Sequence, residues 1–210
     1  TEELSVTVVL PDSIESPVIE FAYGKTYTED GFSSAETIPV TTAQIQNGEI
    51  AYNLSLPEAG IVYYKASFTY YGERLENIYG VFPLDGENKT IKLAAVLFYP
   101  SYNSVSNKLP DGLSLDSIDS YLEDGDGNKN LGAYHTDNYT YANGETIERQ
   151  GIVFLVPAFE NNSLFTFRAT ITADASRFFI FPITQITILP STNARSFSVG
   201  DPITKTFKIT

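Results

Sequence analysis

Apolar and polar residues alternate along most of the chain, which is the pattern of β-strands that bury one face. The longest clean run is 61–71, in which Val62, Tyr64, Ala66 and Phe68 share one face. Gly, Pro, Asn and Asp separate the runs, as expected for turns. The predicted strands are 4–10, 18–23, 50–56, 61–71, 75–82, 90–99, 151–156, 164–172, 177–189 and 203–209.

So many short strands separated by turns predict an all-β protein, an antiparallel β-sandwich of the immunoglobulin-like or jelly-roll type. One segment departs from the alternation. Leucine, isoleucine and tyrosine recur at helical spacing there, and Ser114 is a suitable N-cap. We expect one short helix in a long loop that runs from about Ser101 to Gly132. The residues with helical spacing are Leu115, Ile118, Tyr121 and Leu122.

The length of 210 residues is compatible with one large sandwich or two small domains. Residues 1–84 have the size of an immunoglobulin-like module, and a boundary would then fall near 84–90. However, this segment has few inward-facing strands for a core of its own, and the next strand follows at once. We therefore expect an N-terminal strand at 1–10, followed by a single elongated sandwich over 11–210.

The chain is strongly acidic, with 26 Asp and Glu against 13 Lys and Arg, a net charge of −13. Such a surface repels phosphate and anionic lipid, which argues against nucleic acid and the cytoplasmic membrane face as partners. No apolar run is long enough for membrane insertion. The chain has no Cys and no Met, which suits long exposure outside a cell, and it begins at Thr1, as a processed protein would. We expect an extracellular or cell-surface location.

The sequence offers little for catalysis. A thiolate zinc site, a disulfide and a cysteine nucleophile are all excluded by the absence of Cys. A Ser-His-Asp triad would need the single histidine, His135, yet no nucleophile-elbow motif is present. A glycoside hydrolase needs only two carboxylates, but among 26 acids some pair always looks suitable. We predict no catalytic residues and no enzymatic activity, and rank a glycosidase last.

One acidic segment, 123–130, has the composition of a cation site. Its alternating Asp and Asn residues resemble the start of a calcium loop, whose oxygens converge on the ion. Lys129 replaces the expected Gly and no Glu closes the loop, and ordinary turns have a similar composition. The candidate calcium ligands are Asp124, Asp126, Asn128 and Asn130, to which Asp116 and Asp119 could be added. No other cofactor is expected.

Four Asn-X-Ser/Thr sequons make glycans candidate modifications of the chain. A chain this rich in Asn, Ser and Thr acquires several such triplets by chance. Asn53 falls on the polar face of its predicted strand, where a glycan is sterically acceptable. The acceptor positions are Asn53, Asn88, Asn138 and Asn161.

The N-terminal segment carries the sharpest functional hypothesis. Leu4, Val6, Val8 and Leu10 alternate with mostly polar residues, and Pro11 follows directly. The segment is either the first strand of this sandwich or a donor strand that fills a groove in a neighbouring subunit. Strand donation would also hide an edge that otherwise promotes aggregation. In the second case, these four apolar residues form the interface between subunits.

This layout resembles the subunits of prokaryotic surface filaments that assemble by donor-strand exchange, specifically the archaeal thread or bundling-pilus kind. The resemblance lies in an apolar N-terminal strand before an acidic, sulfur-free sandwich. The chain departs from chaperone–usher pilins because it lacks their cysteine pair and, in its last residues 207–210, their penultimate tyrosine. It also lacks the long hydrophobic N-terminal helix of type IV pilins. No functional residue is carried over.

The resemblance implies a structural subunit of a filament or pilus, which would have identical subunits as partners. The alternative from a different class is a secreted adhesin or a carbohydrate- or calcium-binding module. That module would use the tyrosine-rich loops or the acidic segment 123–130 for binding.

Overall fold

A computed structural model describes residues 3–37, 44–46, 48–102, 113–140, 142–158, 163–173, 186–189 and 202–209. Within these ranges the chain forms two packed β-sheets, which confirms the predicted all-β sandwich. The strands are β1 (Leu4–Val9), β2 (Ile14–Gly24), β3 (Glu36–Thr37), β4 (Gln44–Gln46), β5 (Glu49–Leu56), β6 (Gly60–Tyr70), β7 (Glu73–Leu84), β8 (Lys89–Tyr102), β9 (Leu113–Glu123), β10 (Lys129–Leu131), β11 (Ala133–Thr140), β12 (Thr146–Ala158), β13 (Ser163–Ala173), β14 (Ile186–Leu189) and β15 (Pro202–Ile209).

The first sheet, sheet A, has the order β11-β12-β8-β1-β5-β4, with β14 paired to β8. The second, sheet B, has the order β15-β13-β9-β10-β7-β6-β2-β3. The pairs are antiparallel except β1–β8, which is parallel. The antiparallel prediction was wrong for this pair because alternation specifies which face of a strand is buried and not its direction. Both sheets combine strands from either side of 84–90, and the division into domains stays a prediction.

The core lies between the inner faces of the two sheets. Strand β6 shows how alternation builds it, since Val62, Tyr64 and Phe68 are fully buried on one face. Tyr64 crosses the sandwich from sheet B, and its hydroxyl donates a hydrogen bond of 2.5 Å to the carbonyl of Leu155 in sheet A. The same cluster receives buried side chains from β1, β2, β5, β7, β8 and β12.

The predicted helix at 115–122 was wrong, because residues 113–123 form strand β9, which pairs with β13 and β10. The β9–β13 register shifts between Arg168, opposite Tyr121, and Thr170, opposite Asp116. Such a bulge interrupts the alternation of apolar and polar residues along a strand. The apolar residues of 115–122 therefore have the spacing of a helix although they lie in a strand.

The helical structure of the described residues is a 3₁₀ turn at Gly31–Ser33. No helix in these ranges is long and apolar enough to cross a membrane. Of the predicted strand 177–189, residues 177–185 lie outside the described residues, and Ile186–Leu189 form β14.

Candidate functional site

Strand β1 lies in the interior of sheet A and not at its edge. It pairs antiparallel with β5, from Leu4 opposite Leu56 to Val9 opposite Ala51. On its other side, residues 6–9 pair in parallel with residues 89–92 of β8. The backbone N–H of Leu10 also donates to the carbonyl of Ile50 at 2.8 Å, which extends the pairing beyond the strand.

The inward face of β1 is part of the main core. Val6 and Val8 are fully buried, Leu10 is buried, and Leu4 packs against the cluster from a partly exposed position. Full burial of such side chains stabilises a fold by about 1.5–3 kcal/mol each. The structure therefore brings the four predicted interface residues together on one buried face. The channel that β1 fills, here called the β1 groove, lies between β5 and β8, and its buried core residues are Tyr52, Leu54, Leu56, Ile91 and Leu93.

Polar groups in and next to β1 are hydrogen-bonded on one side to β5 and on the other to Asn88, the residue before β8. The backbone N–H of Ser5 donates to Asn88 Oδ1 at 2.8 Å. Thr7 Oγ1 donates to Asn53 Oδ1 at 3.0 Å, and the hydroxyl of Ser55 donates to the carboxylate of Glu3. A shift by one residue would break these bonds and expose the valines, so the contacts fix the register of β1.

The covalent connection of β1 to the rest of the fold is short. Residues 10–13 lead from β1 in sheet A to β2 in sheet B. The segment contains Pro11, which has no backbone N–H to donate. The non-covalent partners of β1, by contrast, lie far away in the sequence, 46 residues for Asn53 and 83 for Asn88.

The acidic segment 123–130 covers the end of β9, the turn 124–128 and the start of β10, and the polar groups of its turn bond mainly to each other. Asp124 Oδ1 accepts the backbone N–H groups of Asp126 and Asn128, each at 2.9 Å, and Oδ2 accepts Asn128 Nδ2 at 2.8 Å. Buried Asn130 instead accepts the N–H of Val81 at 3.1 Å and donates to the carbonyl of Leu122 at 3.2 Å.

The predicted calcium ligands are therefore only partly brought together. Asp124 and Asn128 are in contact, whereas the side chain of Asn130 bonds to β7 and β9. Within the described ranges, no group of three or more His, Asp or Glu side chains is arranged to hold a metal ion. The side chains of Asp116 and Asp119 are outside the described set. Calcium binding stays a prediction.

The sequons lie in different environments. Asn138 is exposed on β11, and Asn88 is exposed just before β8. Asn53 is half-buried and accepts the hydrogen bond from Thr7. Asn161 lies outside the described residues. Glycosylation stays a prediction, and Asn53 and Asn88 already serve to hold β1.

His135 is buried where β11 meets the start of β7. Its Nδ1 lies 2.7 Å from Glu73 Oε2, and the same oxygen accepts the backbone N–H of Thr136 at 2.9 Å. The edge of the imidazole meets the ring of Tyr70, with 5.0 Å between centroids. These contacts link sheet A to the β6–β7 hairpin of sheet B.

A cleft that the sequence did not predict lies on the outer face of sheet B, where residues 25–35 pass over β6 and β7. It is half open and has a volume of about 240 Å³. Four aromatic residues line it, together with two acids and one lysine. We call this the aromatic cleft, and its main lining residues are Tyr27, Glu29, Asp30, Phe32, Tyr63, Tyr79 and Lys129. The signal in the sequence was a large aromatic residue, Tyr63, at a position of β6 that alternation assigns to the outer face. The structure shows that this residue is buried.

No protein-family model matches the chain, and no curated protein matches it either. What the chain does must therefore be inferred from its own geometry. The two features that stand out for this purpose are the β1 groove and the aromatic cleft.

Proposed function

We propose that the protein is a structural subunit of an extracellular filament of identical chains. Residues 1–10 of one subunit occupy the β1 groove of the next. The observation that carries this proposal is the central position of β1, which is paired on both sides by strands from distant parts of the sequence.

The physical basis is that the contacts of β1 do not depend on which chain supplies it. Its backbone partners lie in 50–56 and 89–92, and its polar partners are Asn53, Ser55 and Asn88. An identical strand from a neighbour would make the same bonds and bury the same valines. Only the segment 10–13 distinguishes the chain's own strand from a donated one.

Strand donation also explains why assembly would be specific and stable. A subunit with an empty groove exposes two strand edges and an apolar floor, which favours pairing with another strand. The polar contacts at Ser5 and Thr7 fix the register, so that successive subunits would repeat identically. The acidic, sulfur-free composition is suited to a durable exterior structure.

An engineered disulfide distinguishes the two origins of β1. Ser5 lies opposite Ser55 in the β1–β5 pair. The N–H of Ser5 points away from β5, toward Asn88, which makes this a non-hydrogen-bonded pair with its Cα atoms about 4.5 Å apart. That spacing is within the range for a disulfide. The natural chain contains no cysteine, so the Ser5→Cys/Ser55→Cys variant carries a single reactive pair.

The variant is unfolded and refolded at high protein concentration, oxidised, and analysed by non-reducing electrophoresis and negative-stain electron microscopy. Strand donation predicts a ladder of covalent oligomers and fibres that resist dissociation by detergent. A fast-migrating, internally linked monomer at every concentration would overturn the proposal. The control is Ser5→Cys/Ser67→Cys, because Ser67 belongs to β6 in the other sheet and should not form the disulfide.

A further inference from the structure

The aromatic cleft is held in shape by contacts among its own residues. Tyr27 stacks on Tyr63 with 6.3 Å between ring centroids and 28° between planes. The Tyr63 hydroxyl accepts the N–H of Thr28 at 2.9 Å and donates to the carbonyl of Thr26 at 3.3 Å. On the other side, Phe32 meets Tyr79 edge-on at 6.4 Å. The cleft is thus formed before any ligand binds, which lowers the entropic cost of binding.

The charges around the cleft disfavour an anionic ligand, and two ammonium groups already occupy positions that a cationic ligand would take. Lys129 Nζ lies 3.3 Å from Glu29 Oε1 and 4.9 Å from the centre of the Tyr121 ring. A second lysine, Lys65, stands 5.9 Å from the centre of the Tyr79 ring. A cationic ligand would meet these two ammonium groups near the aromatic rings. An anionic ligand would meet Glu29, Asp30 and the chain's net charge of −13.

The cleft therefore favours a neutral ligand with one apolar face and several groups that donate and accept hydrogen bonds. Carboxylates at Glu29 and Asp30 accept such bonds, and the ammonium group of Lys129 donates them. The half-buried rings of Tyr27, Phe32 and Tyr79 provide apolar surface. The volume of about 240 Å³ is below that of pockets for drug-sized ligands, about 300–1,000 Å³, and suits a single ring.

We propose that the aromatic cleft binds one neutral sugar residue of a glycan. The C–H face of the sugar packs on the aromatic lining, and its hydroxyl groups donate to Asp30 and Glu29 and accept from Lys129. This function is independent of filament assembly, because the cleft lies on the outer face of sheet B, whereas the β1 groove is in sheet A.

The test is an NMR titration of the purified full chain with glucose, galactose, mannose and N-acetylglucosamine. Tetramethylammonium and inorganic phosphate serve as charged comparison probes. We expect at least one sugar to shift the signals of cleft residues, with an affinity that does not change between roughly 0.05 and 0.5 M salt, because screening acts only on charged partners. Stronger binding of either charged probe at the cleft, or no response to any of the sugars, would overturn the proposal.

Three variants locate the binding. Phe32→Ala removes one aromatic wall and should weaken sugar binding about tenfold, the effect of losing one aromatic contact. Asp30→Asn keeps the shape of an exposed side chain but removes its charge, and should weaken binding several-fold without lowering the melting temperature. Tyr134→Ala is the control, because this exposed tyrosine lies on β11 and outside the cleft. Equal loss in the control and the cleft variants would contradict the assignment.

Discussion

Strand β1 and the β6–β7 hairpin contribute to the same core but are held in place differently. Val8 in β1 and Val62 in β6 are both fully buried. Strands β6 and β7 are joined by a two-residue turn, Tyr71-Gly72, and pair from Tyr70 opposite Glu73 to Gly60 opposite Leu84. The partners of β1 are dozens of residues away, and no turn connects β1 to any of them.

The difference is that burial and local connectivity are separate properties of a strand. Strand β6 cannot leave β7 without breaking a hairpin that closes locally at low entropic cost. Strand β1 also has fully buried side chains, Val6 and Val8, yet its contacts with the groove are all to distant parts of the sequence, which under the proposal would let an identical strand from another chain make the same contacts. A donated strand would need buried side chains and no local connection to the strands it pairs with, and of the two strands compared only β1 has both.

The largest effect is expected in the hairpin, from Gly80→Ala in β7. A Cβ atom there would lie 2.0 Å from Tyr64 Cζ and 2.1 Å from its hydroxyl oxygen. Tyr64 is fully buried and its hydroxyl bonds to Leu155, so it cannot move aside freely. We expect a loss of about 3 kcal/mol in the free energy of unfolding, measured by urea denaturation. The control Gly125→Ala, with no atom within 4 Å of the new Cβ, should change it by less than about 0.5 kcal/mol. Equal effects would contradict the crowding at Gly80.

The second prediction compares Val8→Ala with Val62→Ala. Each removes two buried methyl groups and should lower the free energy of unfolding by about 2 kcal/mol. Only Val8→Ala should increase uptake of a fluorescent peptide of residues 1–10, because it weakens the chain's own strand while the groove stays intact. Fluorescence anisotropy measures the uptake. Equal uptake by both variants would remove the distinction between β1 and β6.

Much of this comparison could be predicted from the sequence, but only at the level of single strands. Alternation in 4–10 and 61–71 correctly predicted which faces of β1 and β6 are buried. It could not predict that β1 pairs in parallel with β8, because the partners of a strand depend on the packing of the whole chain. The bulge in β9 produced a helical spacing at 115–122 by interrupting the alternation.

The aromatic cleft was missed for a related reason. Its lining comes from residues near 27–33, 63, 79 and 129–131, which meet only after sheet B has formed. The composition of the chain does not indicate which distant segments lie next to each other in the fold. By contrast, the acidic segment 123–130 was noticed because its residues are adjacent in the sequence, although the fold turns Asn130 toward Val81 and Leu122.

The third prediction concerns the bond by which the hairpin reaches across to sheet A. Tyr64→Phe leaves the buried Leu155 carbonyl without its donor, and should lower the free energy of unfolding at neutral pH by about 1–2 kcal/mol. Val8→Ala has no such partner to lose. Thermal unfolding at pH 7 measures both losses, and an unchanged melting temperature of Tyr64→Phe would contradict a stabilising hydrogen bond across the sandwich.

The stability of the Tyr64→Phe variant should depend less on pH than that of the natural chain at alkaline pH. Burial raises the pKa of Tyr64 well above the ordinary value of 10.0. Above pH 10 the unfolded chain therefore loses a proton that the folded chain keeps, so stability falls as pH rises, by up to about 1.4 kcal/mol per pH unit. Tyr64→Phe should reduce this slope by one proton. Burial also raises the pKa of Tyr23 and Tyr52. The Tyr64→Phe variant should therefore still lose some stability as pH rises. An unchanged slope would contradict the burial of the Tyr64 hydroxyl.

The smallest change in the free energy of unfolding is expected at Tyr71-Gly72, the turn that joins β6 to β7. Tyr71 has φ of 45° and is 79% exposed, so it occupies the left-handed region without burial of its side chain to offset the strain. Asn tolerates this region better, and Tyr71→Asn should raise the free energy of unfolding by about 0.5–1 kcal/mol, less what is lost from the ring contact with Tyr70. Tyr134→Asn, a substitution within strand β11, should bring no gain.

Peptide uptake by the Tyr71→Asn variant then sharpens the comparison. A tighter hairpin turn stabilises sheet B but makes no contact with β1, so uptake of the 1–10 peptide should equal that of the natural chain. If uptake fell along with the gain in stability, β1 would leave its groove only when the whole sandwich unfolds. Strand donation between folded subunits would then be excluded, and donation would have to occur while the subunits fold.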